Sequence, residues 1–151
     1  MLPALKEFQR VRIPECPDVG HMIQITGTVV KVNIPRIVSS GKAYVCGACK
    51  NVSISLADPT QFNLIPPLTK CLKCGAKGQM KLESNEDDSS LSMTKDSQEI
   101  KVQEKRTNLR MGTMAKSIMV TLGEELVGQC NPGDDVQVVG IVFQRWHPLG
   151  K

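Results

Sequence analysis

Four of the six cysteines stand in two matched pairs, Cys46-Gly47-Ala48-Cys49 and Cys71-Leu72-Lys73-Cys74, with 21 residues between them. Two residues between paired cysteines let both sulfurs of a tight turn converge on one ion, and Gly47 and Gly75 are expected to relax the backbone there. Four thiolates satisfy tetrahedral Zn²⁺ and leave no position for water, so the implied centre is structural and performs no reaction. The spacing is that of a zinc ribbon. Iron in the same cage is the other metal that four thiolates suit. A disulfide framework needs an oxidising compartment, for which nothing in the sequence argues, and a redox Cys-x-x-Cys would stand singly in a βαβ context. Cys16 and Cys130 lie apart and read as small buried hydrophobes.

No catalytic pattern accompanies the cysteines. There is no Gly-x-x-x-x-Gly-Lys-Ser/Thr loop for a nucleotide. His21 and His147 are too far apart to form a local motif, and Glu124-Glu125 and Asp134-Asp135 sit beside turns, where solvated acids are the default. The chain is therefore read as a non-enzyme. Charge is more informative than its modest total of +4. Residues 46–82 and 100–122 each carry a net +4, and 83–99, between them, carry −5. Two basic blocks suggest contacts with phosphates, against the plainer alternative of a solvated face.

The elements that must position these groups are strands. With 151 residues and 40% hydrophobic composition, the chain suits one compact domain, or one carrying a small inserted module. Aromatics are scarce (Phe8, Tyr44, Phe62, Phe143 and Trp146), so the core must come from Val, Ile, Leu and Met. Residues 1–20, with three prolines, read as an irregular leading segment, with a short strand at Val11–Ile13. From Met22 onward Ile23, Ile25, Gly27 and Val29 share one face, and Gln24, Thr26 and Thr28 the other, with Gly27 suggesting a bulge. Arg36 to Val45 reads as a second extended run. Ile100 and Val102, then Ile118, Val120 and Leu122, alternate with polar residues. Glu124 to Gln129 allows one helical turn, Asn131-Pro132-Gly133-Asp134 is a turn, and Val136 to Gln144 reads as a strand buried on both faces. Short strands with almost no helix imply an all-β fold: a small β-barrel with a metal-stapled insertion. The division expected is a barrel from 21–45 and 98–151, a ribbon at 46–82, and a solvated acidic, Ser-rich linker at 83–97.

No apolar run reaches the ~18 residues of a membrane span, so no membrane partner is implied. Met1 to Arg12 lack the apolar stretch of a secretory signal. The expected location is the cytoplasm or nucleus.

Three stretches together resemble a known family. They are Asp18-Val19-Gly20-His21 with Ile25-Thr26-Gly27-Thr28-Val29-Val30-Lys31 and Arg36; the four-cysteine ribbon; and Gln98-Glu99-Ile100-Lys101-Val102-Gln103-Glu104 with Leu126-Val127, Pro132-Gly133-Asp134-Asp135-Val136 and Gly140-Ile141-Val142. The order resembles the N-terminal domain of minichromosome maintenance (MCM) helicases over about residues 11–149. The Asp-Val-Gly-His start and Phe143-Gln144-Arg145-Trp146 are most like the ninth-paralogue branch. The resemblance implies an OB-fold barrel with an inserted zinc ribbon. It further implies a hexameric ring of like or paralogous subunits around single-stranded or forked DNA, a nuclear location, and a role in recombination and repair or replication.

The resemblance also places residues. Arg36 occupies the position of a barrel cation that touches single-stranded DNA. Lys101 to Lys116 resembles the loop that relays between collar and motor, within which Lys105, Arg106, Arg110 and Lys116, with Lys101 itself, are candidate phosphate contacts. Where the family usually has Pro-Arg, this chain has Ala115-Lys116. The family's DNA-contacting hairpin would begin after Trp146, followed by a final barrel strand and then the ATP-binding motor. The barrel here is thus expected to be incomplete, and the chain a fragment, a truncated form or a diverged stand-alone protein. Two other functions are weighed beside DNA binding. One is a zinc-dependent interaction module that assembles with a helicase subunit. The other is an unrelated OB-plus-ribbon single-strand-binding protein.

Overall fold

The computed structural model describes residues 8–10, 12–61, 63–82, 93–105, 107, 109 and 111–145. Among these the strands are β1 (Gln9–Arg10), β2 (Met22–Val32), β3 (Arg36–Ser39), β4 (Gly41–Cys46), β5 (Val52–Leu56), β6 (Met80–Leu82), β7 (Thr94–Glu104), β8 (Ser117–Gly123) and β9 (Asp135–Ile141). Short 3₁₀ turns stand at Cys16–Asp18, Pro59–Gln61 and Glu124–Leu126, and no α-helix occurs among the described residues. No helix is long and apolar enough to cross a membrane. The chain forms two compact units, Met1–Arg36 with Asp96–Gln144, and a second containing Ile37–Lys95.

In the first unit β2 is the central strand. It pairs antiparallel with β9 from Met22↔Ile141 to Thr28↔Asp135, and antiparallel with β7 from Gly27↔Glu104 to Val32↔Ile100. β8 pairs with β7 on its other side, and β1 runs parallel to β2 at Gln24 and Ile25. Alternation in these strands turns one face inward. Val29, Ile100, Val102 and Leu122 are buried together, with Ile118, Val120, Cys130, Val136 and Val138 packed around them.

The inward row of β7 reads Gln98, Ile100, Val102, Glu104, all buried. Its middle is apolar and its two ends are polar, and each polar end is satisfied by backbone from a connecting segment. Gln98 Nε2 donates to the Asn33 carbonyl at 2.9 Å, and its Oε1 accepts the Gly128 N–H at 2.8 Å. The Glu104 carboxylate accepts the N–H of Ile13 at 2.9 Å and of Lys116 at 3.0 Å.

Several expectations change. The bulge lies between Val29 and Lys31, where the β2–β7 register shifts, and not at Gly27. Gly27 is needed for close approach instead, since a Cβ there would stand 2.5 Å from the Gln103 carbonyl oxygen and the Val102 side chain. β9 is buried on one face only; Val139 and Ile141 are 58% and 50% exposed, because Val136 and Val138 alone turn to the core. The leading strand is Gln9–Arg10 and not Val11–Ile13, and Cys16 is exposed. β7 begins at Thr94, so the last residues expected in the linker are strand; residues 83–92 lie outside the described residues. The run from Arg36 to Val45 breaks at Ser40 into β3 and β4.

The second unit holds a three-stranded sheet, β5-β4-β6. β5 reverses the usual pattern. Ser53 and Ser55 are buried, while Val52, Ile54 and Leu56 are exposed. The buried hydroxyls are satisfied: Ser55 Oγ donates to the Pro66 carbonyl at 2.6 Å, and Ser53 Oγ accepts from Asn51 Nδ2 at 3.3 Å.

Candidate metal centre and nucleic-acid face

β4 ends at Cys46 and delivers its thiol into a tight turn, closed by the Lys50 N–H donating to the Cys46 carbonyl at 2.9 Å. The second pair is built the same way: the Gly75 N–H donates to the Cys71 carbonyl at 3.1 Å, below a short antiparallel bridge between Lys70 and Lys77. In each turn the residue after the second cysteine takes positive φ, +57° at Lys50 and +73° at Gly75. The expected relaxing glycine is therefore right at 75. In the first turn the left-handed position falls to Lys50 and not to Gly47.

All four Sγ atoms lie within 4.8 Å of one another, with Cys46–Cys74 at 3.7 Å and Cys49–Cys71 at 3.6 Å. A tetrahedron with metal–sulfur bonds of about 2.3 Å has edges of about 3.8 Å, so the set fits one tetrahedral four-thiolate ion. The donors are also prepared to ionise. Amide hydrogens of Cys74 and Lys73 bring the Cys71 thiol down to about 6, and those of Cys49 and Ala48 lower Cys46. At Cys74 the Ala76 amide pulls downward but is outweighed by the neighbouring sulfurs of Cys49, Cys71 and Cys46 and by burial, which push it up to about 11. Cys46 and Cys71 are buried, Cys49 half-buried and Cys74 exposed. The four cysteines therefore form a site that could hold a metal ion, closed to further ligands.

The candidate cations divide. Arg36 opens β3 and is exposed. Lys101 lies on the outward face of β7, not in a loop, and stands opposite Lys31 of β2. Both lysines are exposed, and Met119 of β8, 48% exposed, is the next residue across. Lys31, Arg36, Lys101 and Lys116 enter no ion pair among the described residues. Lys116 is exposed and begins the approach to β8, its N–H held by Glu104. Lys105 is engaged: its Nζ is 2.8 Å from Asp135, which also accepts the Thr28 hydroxyl at 2.6 Å. The Lys105 ammonium and the Thr28 hydroxyl hold the Asp135 carboxyl below its usual range. Arg106 and Arg110 lie outside the described residues.

Lys31 is the site residue that sequence reasoning missed. Strict alternation from Ile23 through Val29 assigns it inward, and the bulge at Val30 reverses the phase and turns it out. The signal available was the unsatisfactory result of that alternation, a lysine in the core row.

Comparison with known proteins agrees with this architecture. The MCM OB domain family profile matches residues 7–145. A probable DNA helicase MCM9 of Arabidopsis thaliana is 31% identical over 130 residues, covering 84% of this chain and 20% of that protein. The DNA helicase MCM8 of Bos taurus is 35% identical over 128 residues, covering 82% of this chain and 15% of that protein. The chain thus spans a fifth or less of the length of these relatives. The 1.8 Å crystal structure of the N-terminal domain of an archaeal MCM superposes with a TM-score of 0.72 at 22% identity, over 98% of this chain and 56% of that one. A shared strand framework, a four-cysteine insertion and a family match over nearly the whole length make one conclusion: this chain belongs to the MCM OB domain family.

Proposed function

We propose that the chain is the DNA-binding N-terminal domain of an MCM-type helicase and engages single-stranded or forked DNA through the outward face of its barrel. The observation that carries this reading is the juxtaposition of Lys31 and Lys101. Like charges directly opposite on a sheet are destabilising, and a phosphate between them would relieve the repulsion. Arg36 and Lys116 extend the cationic path, and the scarcity of aromatics leaves little base stacking, so sequence preference should be weak. The cysteines take structural Zn²⁺, which fixes the ribbon. In the whole protein this domain would sit in a hexameric nuclear ring of like or paralogous subunits that serves recombination and repair or replication, with ATP bound by a motor outside these residues. Arg36→Ala with Lys101→Ala tests the reading, by anisotropy of a labelled oligo(dT). Each lost phosphate contact should reduce the slope of log K against log salt by about 0.7. Unchanged affinity and slope would overturn it.

A second reading rests on the exposed row Val52, Ile54 and Leu56 of β5. In it the ribbon is a docking module for a partner subunit and DNA contact is incidental. Chelation would then abolish assembly while leaving oligo(dT) binding intact; a metal-loaded chain that never associates counts against it.

A further inference from the structure

We infer that Gln98 is a positioning residue for the DNA contact of Arg36. This rests on the DNA-binding reading above. Gln98 is only 4% exposed, and one carboxamide serves two segments far apart in sequence, Asn33 after β2 and Gly128 after the 3₁₀ turn at Glu124–Leu126. Its orientation is determined by those partners. The Asn33 carbonyl accepts only, and the Gly128 amide donates only, so a flipped carboxamide would face acceptor to acceptor and donor to donor.

Asn33 is therefore held on both sides. Its N–H donates to the Glu99 carbonyl at 2.9 Å, and its carbonyl accepts from Gln98. Beyond it come Ile34, 82% exposed, and Pro35, whose ring sets φ, and then Arg36. Ile34 has little packing to orient the turn, so the direction in which Arg36 leaves depends on how Asn33 is anchored. Lys101, in the ladder itself, needs no such anchor. Without the Gln98 bond the buried Asn33 carbonyl loses its side-chain donor, the turn relaxes, and the guanidinium samples directions away from the phosphate path. The Gly128 side of the carboxamide has the complementary effect: the loop after Leu126 braces the amide against rotation.

A double-mutant cycle on the 151-residue chain tests this, using oligo(dT) at several salt concentrations, with metal content and thermal unfolding as folding controls. Gln98→Met should lower affinity and reduce the salt slope by about 0.7, as Arg36→Ala does. Adding Arg36→Ala to Gln98→Met should then change little, whereas Lys101→Ala should keep its full effect in that background. A general loss of stability would not single out Arg36 in this way. Should Gln98→Met fail to fold, Gln98→Glu keeps the shape and the Gly128 bond and sets a carboxylate against the Asn33 carbonyl, with the same expected pattern. If Arg36→Ala alone has no effect, the DNA-binding path is wrong. If Arg36→Ala weakens binding but its effect multiplies independently with that of the Gln98 variant, the positioning role is wrong and the path stands.

Discussion

Lys31 of β2 stands directly opposite Lys101 of β7, just past the bulge that separates it from Val29. Stability and binding make opposite demands on this pair, which allows them to be separated. Lys101→Glu turns a like-charge cross-strand pair into an attractive one and should raise unfolding stability by about 0.2–1 kcal/mol in urea titrations. The same change should weaken oligo(dT) binding and flatten its salt dependence. A parallel fall in stability and binding would mean that the pair has no special electrostatic relation.

Glu104 should tie stability to pH. Burial alone would raise its carboxyl, but the N–H groups of Ile13 and Lys116 and the nearby Lys116 and Arg12 charges prevail and hold it below the ordinary value of 4.5. A carboxyl lowered on folding contributes stability that is complete above the unfolded value and disappears as pH falls through the folded one. The wild type should therefore lose this contribution on acidification from about pH 4.5 downward. Glu104→Gln, with one acceptor facing two amide donors, should cost about 1–3 kcal/mol at neutral pH. Its acid limb should be shallower than that of the wild type. Identical acid limbs in denaturation at graded pH would refute the assignment.

The metal should be inseparable from the order of the ribbon. Native mass spectrometry is expected to find one Zn²⁺ per chain. Cys71→Ser, which removes a buried ligand, should abolish that mass increment and the amide-exchange protection of β4, β5 and β6, because metal binding at such a site is folding free energy. Protein prepared without chelator and found free of metal would overturn the assignment.

The two metal turns should respond oppositely to glycine exchange. Lys50 carries a Cβ at φ +57°, and Gly75 occupies the equivalent place at +73°. A left-handed residue with a Cβ costs about 1–2 kcal/mol, partly offset by the greater unfolded-state freedom of glycine. Lys50→Gly should thus stabilise the metal-loaded ribbon by about 0.5–1 kcal/mol, and Gly75→Ala should destabilise it by about 1 kcal/mol. The two midpoints of thermal unfolding moving in the same direction would contradict this.

Much of the architecture was legible because strand pattern and cysteine spacing are local signals. The alternation at Ile100–Gln103 and at Ser117–Leu122 became β7 and β8. The cysteine pairs converged as their spacing required. What escaped depends on partners remote in sequence. The bulge that turns Lys31 outward arises from pairing with β7, and the one-sided burial of β9 depends on what faces it. Ser53 and Ser55 look like solvent-facing positions in β5, yet they are buried because Pro66 and Asn51 supply their hydrogen bonds. The engagement of Lys105 was equally hidden, since Asp135 lies 30 residues away.

The ladder between β2 and β7 also bears on how fast the molecule folds. It joins segments roughly 70 residues apart, with the whole metal unit strung between them. Once that unit is ordered, the Ser40 N–H donates to the Met93 carbonyl at 2.7 Å and its two ends are held side by side. The span to be closed then shrinks to a few residues on each side, a saving of about 1–2 kcal/mol in loop entropy. An ion bound outside the barrel should therefore set the rate at which the barrel assembles, and refolding should quicken when metal is supplied before denaturant is diluted rather than after.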